Sequence, residues 1–437
     1  MYPQSHRRSE QLHQRARAYM PGGNTRSTLY MKPFPIYAAR GEGCRIWDVD
    51  DNEFIDCGNN FTALIHGHAH PTLTKVSAEQ LPLGTAVGMP TESEIDLAEL
   101  LTGRLPAVAQ VRFANSGTEA VMTALKAARA YTGRFKIAKC EGAYHGAYDY
   151  AEVSLDTSPE QWTANAPVSK PYAKGTPPSV LNDTIVIPFN DIDGAVGLIR
   201  EHGHELACVL IDPMPNRAGL VPAERAYLEA LRAVTCEVGA LLIFDEVITF
   251  RLGFHGAQGL WDIAPDLTTL GKIIGGGFPV GAIGGSAEVM SVFDPSNGKP
   301  ALPHAGTFAA NPMTMRAGLA AMQLLDPTAF VRLDELGEQL RDGIDTAFRR
   351  LQVAGHTAGL GSLCRMHFGD RKVRDYRSAH MNANEAKRMA AFTMALLDRG
   401  ILAPGGLFAL STPMTSNDVD IIVHAVADSI AATAMMR

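Results

Sequence analysis

What the sequence lacks narrows it first. No stretch approaches the ~18 consecutive apolar residues that a membrane-crossing helix needs. Positive charge does not dominate: 39 Lys and Arg stand against 46 Asp and Glu, a net charge of −7. No basic run is longer than a pair such as Arg7-Arg8, so the basic face that sequence-independent nucleic-acid binding needs is missing. Cysteine is sparse and scattered (Cys44, Cys57, Cys140, Cys208, Cys236, Cys364) with no C-x-x-C pair. That excludes a disulfide scaffold and predicts reduced, mostly buried thiols. The first twenty residues carry Arg7, Arg8, Glu10, Arg15 and Arg17 and no apolar core segment, so no secretory leader is expected and the cytoplasm is the expected location. Despite 41 Gly and 26 Pro there is no low-complexity tract. A globular chain remains, long enough for roughly two or three domains.

The pattern then reads as α/β. A polar helix is predicted over Ser9–Met20, stopped by Pro21-Gly22-Gly23. Short antiparallel strands follow between Ile36 and Asp56, turning at Asp50-Asp51-Asn52. Beyond them apolar runs alternate with amphipathic helices. Strands are predicted at 111–114, 136–139, 184–187, 207–211 and 240–244, with two more at 267–270 and 281–284; helices are predicted at 92–102 (capped by Thr91), 118–131, 191–201 and 222–238. Strands apolar on both faces predict a mostly parallel central sheet covered by helices. The stretch 154–182, rich in Pro, Ser, Thr and Lys, interrupts this as a long loop, the signature of a lid, a binding loop or a disordered insertion. After Asn311 the chain turns helical again, then gives short strands and a final helix. We divide it into an N-terminal segment (1–60), a large domain (61–310) and a C-terminal small domain (311–437), the first and last together forming a smaller α/β unit.

Four local patterns carry chemistry. Asn115-Ser116-Gly117-Thr118-Glu119 follows a strand and opens a helix, so Ser116, Gly117 and Thr118 offer free amides, two hydroxyls and a positive dipole end to a phosphate. Asp245-Glu246-Val247 ends an apolar strand, where ligands of open α/β sheets bind. Lys272 lies between an apolar strand and the apolar, Gly-rich Ile273–Gly277; a desolvated lysine loses proton affinity and becomes a nucleophile for carbonyls. The three glycines there predict a planar group close to the backbone. Tyr144-His145-Gly146 sets an aromatic plate and an imidazole at another strand end. Taken singly, each has an ordinary reading: a capped turn, a solvated acid, a lysine stem lying along apolar surface. Together they make a phosphate cup, a buried acid, an amine and a flat stacking face, which is the set pyridoxal phosphate requires.

With those motifs, and with Thr269-Leu270-Gly271-Lys272 and Gly306-Thr307-Phe308, the chain resembles the class III, fold type I pyridoxal-phosphate aminotransferases from about Tyr19 to its end. Within them it is similar to the branch of glutamate-1-semialdehyde aminomutases and β-amino-acid aminotransferases, sharing Tyr19-Met20-Pro21-Gly22-Gly23 and Ala39-Arg40-Gly41-Glu42-Gly43. The resemblance implies that Lys272 takes the cofactor aldehyde and later moves the proton. It implies that Asp245 holds the ring nitrogen protonated, with His145 beside the ring, Val247 behind it and Tyr144 in front. Ser116, Gly117 and Thr118 would bind phosphate, joined by Thr307 of a neighbouring copy, hence a homodimer. The implied reaction moves an amino group between an amino acid, with a β-amino acid foremost, and a 2-oxo acid; the alternatives are an intramolecular glutamate-1-semialdehyde aminomutase and a transaminase of simple amines.

Departures bear on the substrate. Asp212-Pro213 stands where relatives carry Glu-Pro, and Arg217 where they place Asn, Ala or Glu. After Pro404 the chain reads Gly405-Gly406-Leu407, without the arginine of β-phenylalanine aminotransferases, and Leu29 lies near the place of the aminomutase arginine. Arg40 matches the carboxylate-binding arginine of β-amino-acid enzymes, and Phe61 falls where relatives put an aromatic over the substrate. The run His66-Gly67-His68-Ala69-His70 has no nearby Cys or carboxylate in sequence and is read as scaffold, so no metal is expected.

Overall fold

The computed structural model describes residues 2–163 and 166–434. A seven-stranded sheet orders its strands Gln110–Ala114, Gly281–Gly285, Leu267–Gly271, Leu241–Asp245, Leu206–Ile211, Lys136–Cys140, Thr184–Ile187. Gly281–Gly285 runs against both of its neighbours, and the pairs from Leu267–Gly271 to Thr184–Ile187 are parallel. The sheet is thus mostly parallel, as the apolar runs predict. Its strand Leu206–Ile211, paired on both sides, is buried along its whole length, which is why it reads as a continuous hydrophobic run rather than an alternation.

The helices fall close to their predicted bounds: Arg7–Arg17, Glu92–Arg104, Gly117–Thr132, Ile192–Glu201 and Arg225–Val238. Thr91 precedes its helix, but its Oγ1 lies 3.2 Å from Ser93 Oγ and caps no amide. Two long helices, Pro312–Leu324 and Pro327–Leu351, open the C-terminal part, where Met315 and Met322 are buried. Ala383–Leu397 is a helix that the hydropathy pattern did not separate from its surroundings; Asn382 caps it, in a capping box with Glu385.

A four-stranded sheet joins the two chain ends: Ala38–Glu42, Arg45–Asp48 and Glu53–Asp56 are antiparallel, and Ile401–Leu402 adds to the last of them in parallel. A three-stranded sheet (Gly355–Ala358, Leu363–Phe368, Leu407–Ala409) completes the fold. The predicted long loop is partly ordered by short helical turns at Pro159–Gln161 and Pro178–Asn182. It is also anchored, since Thr157 O accepts from Tyr376 Oη (2.7 Å) and Thr163 O from Arg377 Nη1 (2.8 Å). Five of the six free cysteines are buried, and Cys236 is exposed.

Candidate active site

Parallel strands bring their C-terminal ends to one edge, and polar residues just past an apolar strand collect there. That edge gathers Ser116–Thr118, Glu141–Gly146, Asp212, Asp245 and Lys272, each at or just beyond a strand end. The register makes the grouping tight. Gly281 is paired with Ala114 on one side and Gly271 on the other, so the phosphate cup and Lys272 flank a residue without a side chain. A Cβ on Gly281 would lie 2.0 Å from the Ser116 carbonyl oxygen.

The cup is built by local hydrogen bonding. Ser116, in extended conformation, caps helix Gly117–Thr132 by accepting from Glu119 N at 3.1 Å, and Glu119 Oε2 returns to accept from Asn115 N at 2.7 Å. Thr118 Oγ1 accepts from Ala147 N at 3.1 Å, which ties the cup to the Tyr144–Gly146 loop. Gly146, at φ +91°, could carry no Cβ, since it would lie 2.6 Å from Thr118 Oγ1. Val247 closes the floor, 3.0 Å from where a Gly117 Cβ would stand. Free first-turn amides, two hydroxyls and a backbone pared to glycine make a cradle of the size and charge that fits a phosphate monoester.

Asp245 is held on three sides. Its Oδ2 accepts from His145 Nδ1 (2.7 Å), and its Oδ1 accepts from Thr269 Oγ1 (3.0 Å) and Val247 N (3.1 Å). Both Asp245 and His145 are buried. Burial pushes the His145 imidazole below its usual range while Asp245 pulls it the other way, so the neutral ring with its proton on Nδ1 matches the acceptor it faces. His145 Nε2 is then buried without a partner.

Lys272 takes a left-handed backbone, φ +52°, a strained conformation for a side-chain-bearing residue. Burial brings its amine down to about 8, against the opposing pull of Asp245 and Asp212 and with help from Arg251. A lysine with a substantial free-base fraction near neutral pH is a competent nucleophile for an aldehyde. Asp212 is buried and takes Met214 N at 2.9 Å. Burial first, and then the charge of Asp245, raise its carboxyl well above the ordinary range. Glu246 points away, accepting from Ala257 N (2.5 Å) and Gln258 N (3.1 Å).

Not every predicted residue joins this cluster. Tyr144 is on the adjoining loop and half exposed, and Thr307 lies on an exposed turn. Arg217 pairs with Asp156 (3.1 Å) within electrostatic reach of Tyr144. Arg40 belongs to the four-stranded sheet, its guanidinium 3.6 Å over the Trp47 ring and 3.6 Å from Glu42; it lines an open cleft of about 510 Å³ with Thr74 and Lys75. Phe61 sits in a left-handed turn with Arg26 stacked on it at 5.3 Å.

The glycine reading needs correction. A Cβ on Gly275 would meet Val280 at 2.6 Å, and one on Gly276 the Ala317 carbonyl at 2.3 Å. The protein's own chain, Val280 at the first and helix Pro312–Leu324 at the second, requires these two glycines rather than a planar ligand. The histidine run is occupied by the scaffold, His66 with Ala321 O (2.9 Å) and Thr412 Oγ1 (3.1 Å), His68 with Asp56 Oδ2 (2.8 Å). Sequence reading passed over Asp212 as a site residue, although it follows an apolar strand just as Asp245 ends one. It quoted Thr269 only within the motif Thr269-Leu270-Gly271-Lys272 and missed it as a partner of Asp245.

Two outcomes follow from this geometry. Gly281→Ala should push on the Ser116 carbonyl and weaken pyridoxal-phosphate binding at least about tenfold, ~1.4 kcal/mol, in an equilibrium titration of a protein that unfolds normally. Lys272→Ala should abolish borohydride-stable attachment of the cofactor, and in the unsubstituted apoprotein the rate of attachment should rise with pH and level off above about 8. Trapping on the other buried lysine, Lys139, would contradict the assignment.

The chain is similar to known proteins along nearly its whole length. The family model "Aminotransferase class-III" matches residues 28–418. Glutamate-1-semialdehyde 2,1-aminomutase of Methanosphaera stadtmanae is 39% identical over 423 residues, covering 96% of this chain and 97% of that protein. Among solved structures, an omega-transaminase from Sphaerobacter thermophilus is 52% identical with a TM-score of 0.96, covering 98% of each chain. The β-phenylalanine aminotransferase of Variovorax paradoxus is 38% identical with a TM-score of 0.88, covering 98% of this chain and 96% of its own. The protein therefore belongs to the class-III aminotransferase family, enzymes of fold type I that depend on pyridoxal phosphate.

Proposed function

We propose that this enzyme moves an amino group between a carboxylate-bearing amino acid, a β-amino acid foremost, and a 2-oxo acid, and that it does so as a cytoplasmic homodimer. The carrying observation is Lys272, a buried-site amine flanked by a fixed carboxylate and a phosphate cradle. Likeness across 98% of each chain to an omega-transaminase, and across almost all of a β-phenylalanine aminotransferase, favours transfer between two substrates. The 39% identity to a protein named glutamate-1-semialdehyde 2,1-aminomutase favours a second reading, in which both steps act on one molecule.

Bound in the cradle, pyridoxal phosphate supplies an electron sink for charge developing at the amine-bearing carbon. The protein's residues do the rest. Ser116, Gly117 and Thr118 fix the phosphate. Asp245, itself fixed by His145, Thr269 and the Val247 amide, would hold the ring nitrogen, and a charge-assisted bond there is worth roughly 1.5–3 kcal/mol. Lys272 Nζ accepts and returns a proton. Val247 and Tyr144 would hold the ring between them. The exposed Thr307 and Phe308, and the run Leu81, Leu83, Val87 and Met89 with its apolar side chains in solvent, fit a surface covered by a second copy.

Single-turnover absorbance tests the reading. An amino donor alone should convert the cofactor to its amine form, and only an external 2-oxo acid should restore it; restoration without an acceptor would make the enzyme a mutase. Asp245→Asn should keep the cofactor yet lower turnover by about a thousandfold or more, since an amide cannot favour a protonated ring nitrogen. A substrate carboxylate in a dry site calls for a guanidinium partner, and Arg40 is our first choice over Arg217. Arg40→Ala should lower kcat/KM for carboxylate donors by ~10²-fold, about 2–3 kcal/mol, and barely affect simple amines. If Arg217→Ala does so instead, the anchor is beside Tyr144; if neither does, the donor is a simple amine.

A further inference from the structure

Arg251 is a buried cation outside the cofactor cluster. It lies in the short turn Thr249–Leu252, is 1% exposed, and directs its whole fork at neutral acceptors. Nε donates to Ser362 Oγ (3.0 Å), Nη1 to Thr62 O (2.9 Å) and Nη2 to Leu410 O. Among the described residues no carboxylate pairs with it, and burial alone brings its guanidinium down to about 9. An ion held in that way costs stability and asks for another reason to be there.

The groups around it supply one. Thr62 ends a run of four left-handed residues without a glycine: Asn59, Asn60, Phe61 and Thr62, with φ of 46°, 47°, 58° and 72°. Each L-residue in that region crowds its own Cβ against the following carbonyl, so such a run persists only where its surroundings impose it. From within, Asp56 Oδ1 accepts from Gly58 N (2.8 Å) and Asn59 N (3.0 Å), and Gly58 O accepts from Thr62 N (3.0 Å). From outside, Asn59 Nδ2 reaches Ala409 O, and the Arg251 fork holds the Thr62 carbonyl. The turn presents Phe61, 41% exposed, and leads into Leu64, whose Cδ2 stands 3.5 Å from where a Gly277 Cβ would be, on the segment that follows Lys272. Arg251 also comes six residues after Asp245, on the same connection.

We propose that Arg251 is a positioning residue for the reaction: its guanidinium clamps the left-handed turn that presents Phe61, and it stands as an uncompensated positive charge within reach of Lys272. The charged groups acting on Lys272 are Asp245 and Asp212, which favour its ammonium form, and Arg251, which opposes them. The same charge reaches His66, where it adds to a burial effect that brings the imidazole down to about 4. The proposal rests on Lys272 as the reacting amine, so its test avoids turnover.

Two variants of the full chain separate charge from clamp: Arg251→Gln loses both, and Arg251→Lys keeps the charge but loses the fork. Competitive acetylation of cofactor-free protein, read by mass spectrometry across pH, gives the midpoint of Lys272. Hydrogen exchange of the peptide spanning 57–66 gives the rigidity of the turn. In Arg251→Gln the midpoint should rise, and exchange at 59–64 should quicken about tenfold. In Arg251→Lys exchange should quicken while the midpoint stays at the unsubstituted value. A merely structural tie would loosen the turn and leave Lys272 unmoved, so a folded Arg251→Gln with an unshifted midpoint overturns the charge role. Unchanged exchange in Arg251→Lys overturns the clamp, and decides that point alone if Arg251→Gln fails to fold. Failure of Lys272 to take the cofactor would instead overturn the functional reading.

Discussion

The hydrogen bond between Asp245 and His145 is the constraint on which the rest of the site depends. A carboxylate removed from water at the end of an apolar strand is destabilising unless its lone pairs are matched. Here the partners come from three places: the His145 ring from the loop after Lys136–Cys140, the Thr269 hydroxyl from the adjoining strand, and the Val247 amide two residues on. They meet only if the strands keep their register, with Asp245 opposite Thr269. A slip of one residue would turn each side chain to the other face. The bond therefore specifies the sheet edge as much as the edge positions the bond.

Around that point the backbone is shaped by close approach. Gly281 lets the cup and Lys272 lie on either side of one strand end, Gly146 lets the Tyr144 loop rest on Thr118, and Gly142 leaves room for the Tyr376 ring, 1.9 Å from where its Cβ would be. The last contact carries the C-terminal part of the chain onto the large sheet. It is reinforced where Arg377 Nε donates to buried Glu141 at 2.6 Å. Among the described residues thirteen non-glycine residues take a positive φ, Lys272 and the turn 59–62 among them, and the packed sheet and helices hold them there.

Much of this was legible in the sequence because its signals are local. An apolar run followed by Ser-Gly-Thr, by Asp or by Lys marks a strand, its end and what stands at that end, and the sheet brings those ends together. What was not legible is set by residues distant in sequence. The first two glycines after Lys272 look like room for a ligand until Val280 is seen against Gly275 and helix Pro312–Leu324 against Gly276. Arg251 looks like an ordinary arginine in a turn, since its partners Thr62, Ser362 and Leu410 are scattered through the chain. Helix Ala383–Leu397 has a thin apolar stripe, since only Met389, Phe392, Leu396 and Leu397 of its fifteen residues are buried. Arg40 and Phe61 were named by resemblance, and their places, on a strand of another sheet and in a left-handed run, have no local signature.

The proposed function requires that Asp245 keep the cofactor's ring nitrogen protonated. The most direct measurement is the ¹⁵N chemical shift of that nitrogen in protein reconstituted with ring-labelled pyridoxal phosphate. A protonated shift that holds from about pH 6 to about pH 9 is predicted, well beyond the range in which an unassisted pyridine keeps its proton. A shift of the neutral nitrogen anywhere in that range would contradict the claim.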